Sequence, residues 1–258
     1  TLLGDANKLT IMITPTIALA IDQEKQLLEQ YHGVPGGLPD QMAWHSGLSE
    51  DGRKSIRQRL KSNTQRILIT TPESFVGSLS RQIYHTAERG LLGHFVVDEA
   101  HLVAQWGNEF RPQFQAMSGM RRELIKCCPS GKEFRTLLLS ATLTQESFDV
   151  LETLFCDGKF DSVHAVALRA EPEYWQSNSS TKSERDRKVA ELIRVVPRPF
   201  LLYVTTKQDA EFWSHKLHEF GIQRSGCFHG NTPNEDREIV IDQWRSGKLD
   251  CVVATSAF

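Results

Sequence analysis

The chain has 258 residues, of which 40% are hydrophobic and 24% are charged, and its formal net charge is −2. These values are ordinary for a soluble globular protein with one large or two smaller domains. They exclude a strongly basic chain that would attract a polyanion through its overall field, so any nucleic-acid contact has to come from a local basic and aromatic surface.

The cysteines and the apolar stretches indicate the cellular compartment in which we expect the chain. The five Cys show no C-x-x-C or Cys/His ligand spacing, so we expect free thiols in a reducing compartment, cytoplasmic, nucleoid or nuclear, and no secretion. The most hydrophobic stretch, residues 9–21, is short and broken by Pro15, which argues against a membrane span. No signal-peptide pattern is visible in this chain, which opens on Thr1.

Strands and helices are predicted to alternate through the first part of the chain. The periodicity predicts buried strands at residues 9–13, 66–70, 95–98 and 134–139, helices at 17–28, 48–62 and 148–155, a loop at 33–37 and a short strand at 163–168. Arg53, Arg57 and Lys61 share one face of the second helix. Such a face is usually solvated, and phosphate contact is the alternative.

The composition changes at residues 171–188, which are rich in Ser, Asn, Thr and mixed charges and predict a linker. The pattern beyond it predicts helices at 189–196, 210–220 and 235–244, which alternate with strands at 199–204, near 227–228 and at 249–254. This alternation predicts an α/β fold with two parallel sheets: a first domain at 1–170, the linker, and a second domain at 189–258.

The apolar run Phe95-Val96-Val97 ends in two adjacent carboxylates, Asp98 and Glu99. Parallel sheets bind ligands beyond the carboxyl ends of their strands. Asp98 is therefore well placed to hold a Mg²⁺ that carries nucleotide phosphates, and Glu99 to orient or deprotonate an attacking water. The alternative is a strand that simply ends in a polar turn.

Asp98-Glu99-Ala100-His101 resembles the Walker B box of the DEAH-type superfamily 2 helicases. Residues 101–114 are similar to the aromatic-rich loop of RecQ helicases, His-x-x-x-Gln-Trp-Gly-x-Asp-Phe-Arg-Pro-x-Tyr, with Glu109 in place of Asp, Phe114 in place of Tyr, and Asn108 where His is common. The resemblance runs from about residue 9 to the end. It implies a helicase motor of two RecA-like parallel-sheet domains, both incomplete here, that uses ATP and Mg²⁺ to move 3′ to 5′ on single-stranded DNA and to unwind duplex DNA.

The resemblance also implies roles for individual residues. Asp98, Glu99 and His101 match the catalytic box, with His101 as a relay toward the DNA side, and Ser140 and Thr142 match motif III, which links the nucleotide and DNA sites. The implied nucleic-acid contacts are Thr14 and Pro15 of motif Ia, Thr71 of motif Ib, Trp106, Phe110 and Arg111 of the aromatic-rich loop, His229, and Thr255 of motif V.

The residue types alone leave alternatives open. Trp106 and Phe110 offer faces for base stacking, worth roughly 1–3 kcal/mol per base, yet with Phe114 they also fit a buried helical stripe. Thr14-Pro15 fits a plain strand–turn–helix unit, and His101 and His229 fit hydrogen-bonded turn residues.

The 258 residues contain no P-loop of the form G-x-x-x-x-G-K-[ST], whose amides and lysine hold nucleotide phosphates. In the family this loop lies shortly before motif Ia and an arginine finger follows motif V. We therefore expect a chain truncated at both ends and predict that it does not hydrolyse ATP at a useful rate by itself. The rival hypotheses are an RNA-directed or non-unwinding superfamily 2 ATPase and a non-catalytic nucleic-acid-binding module.

Overall fold

The computed structural model describes residues 8–31, 38–106, 112–158, 160–163, 165 and 171–255, without the side chains of Gln105, Trp106 and Asn234. The chain divides into two compact units, residues 1–165 and residues 166–258. Each unit is built around a sheet of parallel strands.

The sheet of the first unit has five strands in the order β2-β3-β1-β4-β5, and every described pairing is parallel. Parallel pairing brings the carboxyl ends of the strands to one edge of the sheet. The elements of this unit are β1 (Leu9–Ile13), α1 (Ile17–Gln30), β2 (Ala43–Trp44), α2 (Glu50–Lys61), β3 (Ile67–Thr70), α3 (Pro72–Val76), α4 (Ser80–Glu88), β4 (Leu92–Val97), α5 (His101–Trp106), α6 (Gln113–Cys127), β5 (Arg135–Leu138) and α7 (Gln145–Phe155).

The core of the first unit supports β4, the strand that ends at the predicted acidic pair. Phe95 of β4 is fully buried, and its ring centroid lies 5.1 Å from that of Phe75 and 6.3 Å from that of Phe134. Strands that are covered on both faces form continuous apolar runs, which is why the sequence of β4 shows no alternation. The aromatic cluster therefore fixes the strand that presents Asp98.

The short strand β2 is held by a side chain from α1. The Glu24 carboxylate accepts hydrogen bonds from the backbone N–H groups of Met42 and Ala43, at 2.5 and 2.7 Å. The α1 helix itself begins after Pro15, as predicted, and Thr16 caps it by accepting a hydrogen bond from Leu19 N.

The second unit has a three-stranded parallel sheet in the order β6-β8-β7. Trp213 packs on one face of this sheet with Cys251 and Val253, and Phe228 packs with Val252 and residues of α10 on the other. Its elements are α8 (Lys182–Val195), β6 (Phe200–Tyr203), α9 (Lys207–Glu219), β7 (Ser225–Phe228), α10 (Asn234–Arg245) and β8 (Cys251–Ala254).

The boundary between the units differs from the prediction. Residues 182–188 belong to α8, so the predicted linker at 171–188 is too long. Thr181 Oγ1 accepts a hydrogen bond from Glu184 N, and the Glu184 carboxylate accepts one from Ser180 N, which starts the helix. The first turns of α8 carry charged residues with good helix propensity and almost no aliphatics, and for that reason they resembled a linker.

The predicted strand at 163–168 is not found in its described part, where residues 163 and 165 lie outside any strand and Val163 is 97% exposed. The remaining positions of that range lie outside the described residues. The predicted α/β class with two parallel sheets is confirmed. Within the described ranges, no helix combines the length and the apolar character needed to cross a membrane.

Candidate functional site

The predicted acidic pair follows β4 at the carboxyl edge of the first sheet. Asp98 N donates to Ile13 O at 2.9 Å, which ties the pair to the end of β1. On the other side, Leu139 N donates to Val97 O and Ala100 N donates to Leu139 O, both at 2.8 Å. The ends of three neighbouring strands therefore hold this turn in place.

Glu99 has an unusual backbone conformation. Its φ is +49°, in the left-handed region that costs a non-glycine residue roughly 1–3 kcal/mol. Glu99 N donates to Asp98 Oδ1 at 3.0 Å, which offsets part of this cost. A backbone conformation of this kind lowers stability and persists only where the surrounding structure enforces it. Such positions are concentrated at functional sites.

His101 joins the acidic pair to the segment after β5. Its Nδ1 lies 2.9 Å from Ser140 Oγ and 3.3 Å from Glu99 Oε2. Ser140 Oγ donates to Thr142 O at 2.6 Å, so it accepts from His101 Nδ1. The structure thus brings together all five residues predicted for the catalytic and nucleotide site: Asp98, Glu99, His101, Ser140 and Thr142.

The residues at this sheet edge can hold Mg²⁺ only together with phosphate oxygens of a bound nucleotide. The described part of the chain holds no group of three or more His, Cys, Asp or Glu side chains that could bind a metal by itself. Mg²⁺ is usually held by one or two carboxylates plus phosphate oxygens, and Asp98 would supply the carboxylate. The edge of the sheet therefore fits a magnesium nucleotide, although the 258 residues contain no P-loop sequence to cradle its phosphates.

The structure places the predicted motif Ia residues, Thr14 and Pro15, between β1 and α1. Thr14 is fully buried, its backbone N–H donates to Thr70 O at 2.9 Å, and its hydroxyl donates to Thr16 O at 3.1 Å. Pro15 is buried as well. Both residues lie in the turn between β1 and α1, and their contact with nucleic acid stays a prediction.

Thr71 follows β3 at the same sheet edge and is 7% exposed. It precedes α3, and its side chain makes no capping hydrogen bond to that helix. Its role as a phosphate contact stays a prediction.

Residues 107–111 of the aromatic-rich loop lie outside the described residues, and with them the predicted contacts Phe110 and Arg111. Trp106 is the last residue of α5, with its side chain outside the described part. Phe114 is fully buried in the core of the first unit, which agrees with the core alternative for that position.

In the second unit, His229 and Thr255 follow neighbouring strands, β7 and β8. Thr255 N donates to Phe228 O at 3.1 Å, and Thr255 is 9% exposed. His229 N donates to Thr232 Oγ1 at 3.0 Å, and His229 Nε2 lies 3.8 Å from Glu211 Oε1. The two predicted contacts therefore share one sheet edge.

Arg237 was not among the site residues predicted from the sequence. Its Nε donates to Thr232 O and its Nη2 to Gly230 O, both at 2.8 Å, and Nη2 lies 3.5 Å from His229 O. This arginine holds the loop that carries His229. The signal available in the sequence was an arginine eight residues after the histidine.

Comparisons with known proteins agree with this arrangement. The family model of the DEAD/DEAH box helicases matches residues 2–150, and the model of the helicase conserved C-terminal domain matches residues 185–258. Two solved structures share the fold: the helicase Lhr of Mycobacterium smegmatis bound to ssDNA and AMP-PNP (20% identity, TM-score 0.65, 99% of this chain and 35% of that chain) and the helicase MrfA bound to DNA (19%, 0.70, 98% and 36%).

Curated relatives carry RecQ-type names. The chain is 28% identical over 257 residues to "ATP-dependent DNA helicase Q1" of Rattus norvegicus, covering 96% of this chain and 39% of the relative. It is 26% identical over 263 residues to "ATP-dependent DNA helicase RecQ" of a Synechocystis strain, covering 100% of this chain and 51% of the relative. The chain thus spans about two fifths to one half of these relatives. The predicted resemblance to RecQ helicases is confirmed, and the chain belongs to the DEAD/DEAH box helicase family.

Proposed function

We propose that this chain forms motor domains of a RecQ-type DNA helicase, which in the intact protein couples ATP hydrolysis to 3′-to-5′ movement on single-stranded DNA and to duplex unwinding. The observation that carries the proposal is the position of His101, whose Nδ1 contacts the Glu99 carboxylate and is hydrogen-bonded to Ser140. The matches to the two helicase family models and the names of the relatives support it.

In this proposal Asp98 would hold a magnesium ion through its carboxylate. When bound, the ion would supply positive charge to offset the charge of the phosphoryl group. Glu99 orients the attacking water and takes up its proton. The strained backbone of Glu99 and the hydrogen bond between Glu99 N and Asp98 Oδ1 fix the direction of the two carboxylates relative to each other.

His101 couples the acidic pair to the segment that follows β5. Ser140 Oγ and Glu99 Oε2 lie 2.9 and 3.3 Å from the same nitrogen, His101 Nδ1. A shift of the Glu99 carboxylate therefore strengthens or weakens the hydrogen bond between His101 and Ser140. Ser140 in turn donates to Thr142 O, so the change passes to the main chain after β5. This connection supports the relay role that the family resemblance implies for His101.

The 258 residues contain no P-loop pattern, which limits ATP hydrolysis by the isolated chain. Asp98 by itself provides one carboxylate, and a phosphate cradle of backbone amides and lysine is needed to place the nucleotide beside it. We therefore propose that the isolated chain does not turn over ATP and that the intact protein does.

The test is the ATPase rate of the intact protein with single-stranded DNA or RNA as the stimulating strand. Glu99→Gln removes the base while keeping the size of the side chain, so we expect the DNA-stimulated rate to fall by about 10²–10⁴-fold. Asp51→Asn, at a side chain that is 98% exposed, is the matched control and should leave the rate unchanged. An unchanged rate in Glu99→Gln would refute the role of the acidic pair, and stimulation by RNA alone would identify an RNA-directed enzyme.

A further inference from the structure

The amino edge of the first sheet, opposite the edge with the acidic pair, carries a row of basic residues. Four neighbouring strands, β3, β1, β4 and β5, are each preceded within three residues by a lysine or an arginine. In spatial order across the sheet these residues are Arg66, Lys8, Arg89 and Lys132. Neighbouring strands lie about 4.8 Å apart, so the starts of the four strands span about 14 Å.

Contacts between the loops bring further positive charge to this edge. A Cβ at Gly90, whose φ is +67°, would lie 2.7 Å from Lys132 Cδ, so the stem of Lys132 crosses directly over this glycine. Arg89 Nη1 lies 3.4 Å from Lys61 O, at the last residue of α2. The loop before β4 therefore joins the loop before β5 to the end of α2.

Four basic residues at this edge are exposed, and we call them the basic edge: Lys61, Arg89, Lys132 and Arg135. Within the described ranges, none of the four forms an ion pair with a carboxylate. The segments that form the edge, residues 8, 61–66, 88–91 and 131–135, contain six basic and two acidic residues. This surplus of positive charge is local, because the formal net charge of the whole chain is −2.

Helix termini explain only part of this charge. Lys61 lies in the last turn of α2 and Arg89 follows the last residue of α4, where a positive charge interacts favourably with the helix dipole. Lys132 and Arg135 lie outside any helix. Their charges extend the basic edge across β4 and β5 without serving a helix terminus.

The side chains of this edge favour one kind of partner. No described large hydrophobic side chain in these segments is exposed, and their single aromatic residue, Phe134, is buried. Protein partners are usually anchored by aromatic or apolar side chains, and single strands by bases stacked on aromatic rings. Cations without aromatic faces fit a polyanion whose bases are already stacked inside, which is the phosphate backbone of a duplex.

Polar side chains lie beside the charges. Residues 62–64 form the turn after α2, in which Asn63 has a φ of 56°. The hydroxyls of Ser62 and Thr64 lie 2.9 Å apart, and both residues are exposed. Hydroxyl groups of this kind commonly donate hydrogen bonds to phosphate oxygens.

We propose that the basic edge is a binding surface for duplex DNA, which it holds through the phosphate backbone. The inference goes beyond the proposed function and rests on it only for DNA as the partner. Duplex DNA carries one negative charge per about 1.7 Å of its axis, so a row of about 14 Å faces about eight of these charges. The strand β4, Leu92–Val97, separates this surface from the acidic pair by about 17 Å, and the opposite edge stays open to a single strand.

The experiment measures binding of the 258-residue chain by fluorescence anisotropy over a range of salt concentrations. The labelled probes are a blunt DNA duplex, an oligothymidine and a polyglutamate with the same number of charges as the duplex. The triple variant Lys61→Gln, Arg89→Gln, Lys132→Gln should raise the Kd for the duplex at least about tenfold at about 0.1 M salt. It should also reduce the slope of log K against log salt by about 2.7, or about 0.9 per lost phosphate contact, and leave the Kd for oligothymidine unchanged.

Two controls separate this surface from a general effect of charge. The triple variant Lys25→Gln, Arg122→Gln, Arg245→Gln removes the same number of positive charges at exposed positions elsewhere and should bind the duplex like the unaltered chain. Arg89→Lys keeps the charge at the basic edge and should also bind normally, because the proposal requires charge and no fixed hydrogen-bond geometry.

Several results would overturn the inference: an unchanged Kd for the duplex in the first triple variant, an equal loss in the second, or an equal loss of oligothymidine binding. Tighter binding of polyglutamate than of the duplex, lost in the first triple variant, would instead identify an acidic protein as the partner. Folding is followed by circular dichroism, and if the triple variant does not fold, Arg89→Gln and Lys132→Gln serve singly, each with a slope change of about 0.9. A lack of duplex binding by the unaltered chain would refute this inference alone, because the proposed function is judged by the ATPase rate of the intact protein with single strands.

Discussion

Replacing Phe95 with alanine tests whether the aromatic cluster holds the strand that presents Asp98. Phe95 is fully buried, and it contacts the rings of Phe75 and Phe134 at centroid distances of 5.1 and 6.3 Å. Removing such a ring typically costs about 3–5 kcal/mol, from lost transfer free energy and from the cavity left behind. With a urea m-value of about 2 kcal/mol/M, the unfolding midpoint of the first unit should fall by about 2 M.

Unfolding can be assigned to each unit through its cysteines. Cys128 of the first unit is half-buried, and burial raises its pKa; burial also raises the pKa of Cys251 in the second unit, to about 12. Both thiols should therefore be alkylated faster once their own unit opens, and the change in rate across a urea series, followed by mass spectrometry, gives two separate midpoints. Phe95→Ala should lower the midpoint reported by Cys128 and leave that of Cys251 in place. Ile21→Ala, at a residue that is 44% exposed, is the control, and a loss below about 1 kcal/mol in Phe95→Ala would refute the reasoning.

Two further predictions concern the first unit. Glu24→Ala leaves the N–H groups of Met42 and Ala43 without their carboxylate acceptor, so urea unfolding should show a loss of about 2–4 kcal/mol, while Glu29→Ala on the same helix should show almost none. Burial lowers the pKa of His45 below its ordinary value of 6.5, so the unfolded chain binds a proton more readily than the folded one. The stability of the unit should therefore be at its full value above pH 6.5 and fall on acidification below it. In urea titrations at about pH 7.5 and about pH 5.5, His45→Asn should reduce this fall, and an identical pH dependence in the variant would contradict the prediction.

The acidic site could be predicted because its signals are local. Asp98, Glu99 and His101 are nearly adjacent in the chain, and the apolar run before them predicts a buried parallel strand. Ser140 comes to the same place because parallel strands end at one edge of the sheet, a rule that needs only the strand assignments. The bond between His101 and Ser140 is the structural consequence.

Features that depend on distant residues could not be predicted in the same way. The strand β2 has two residues and is held by Glu24, which lies on a different element. The burial of Thr14 and Pro15 follows from packing at the sheet edge, and a threonine–proline pair looks the same in a sequence whether it is exposed or buried. In these cases the deciding interactions are tertiary.

A repeat between the two units is present in the sequence but could not be predicted, for another reason. Across residues 43–71 and 227–255, the identical positions are His45, Arg53, Ser62 and Thr71 with their counterparts 184 positions later. So few identities are difficult to separate from chance. Matching helix bounds and matching arginine-to-carbonyl contacts make the correspondence clear.

Unwinding of tailed duplexes by the intact protein, with ATP and Mg²⁺ present, tests the central claim most directly. The account predicts strand separation on a duplex with a 3′ single-stranded DNA tail, none on the same duplex with a 5′ tail, and none on either duplex for Glu99→Gln. Equal unwinding from both tails would contradict the proposed direction, and unwinding by Glu99→Gln at the unaltered rate would contradict the role assigned to the acidic pair.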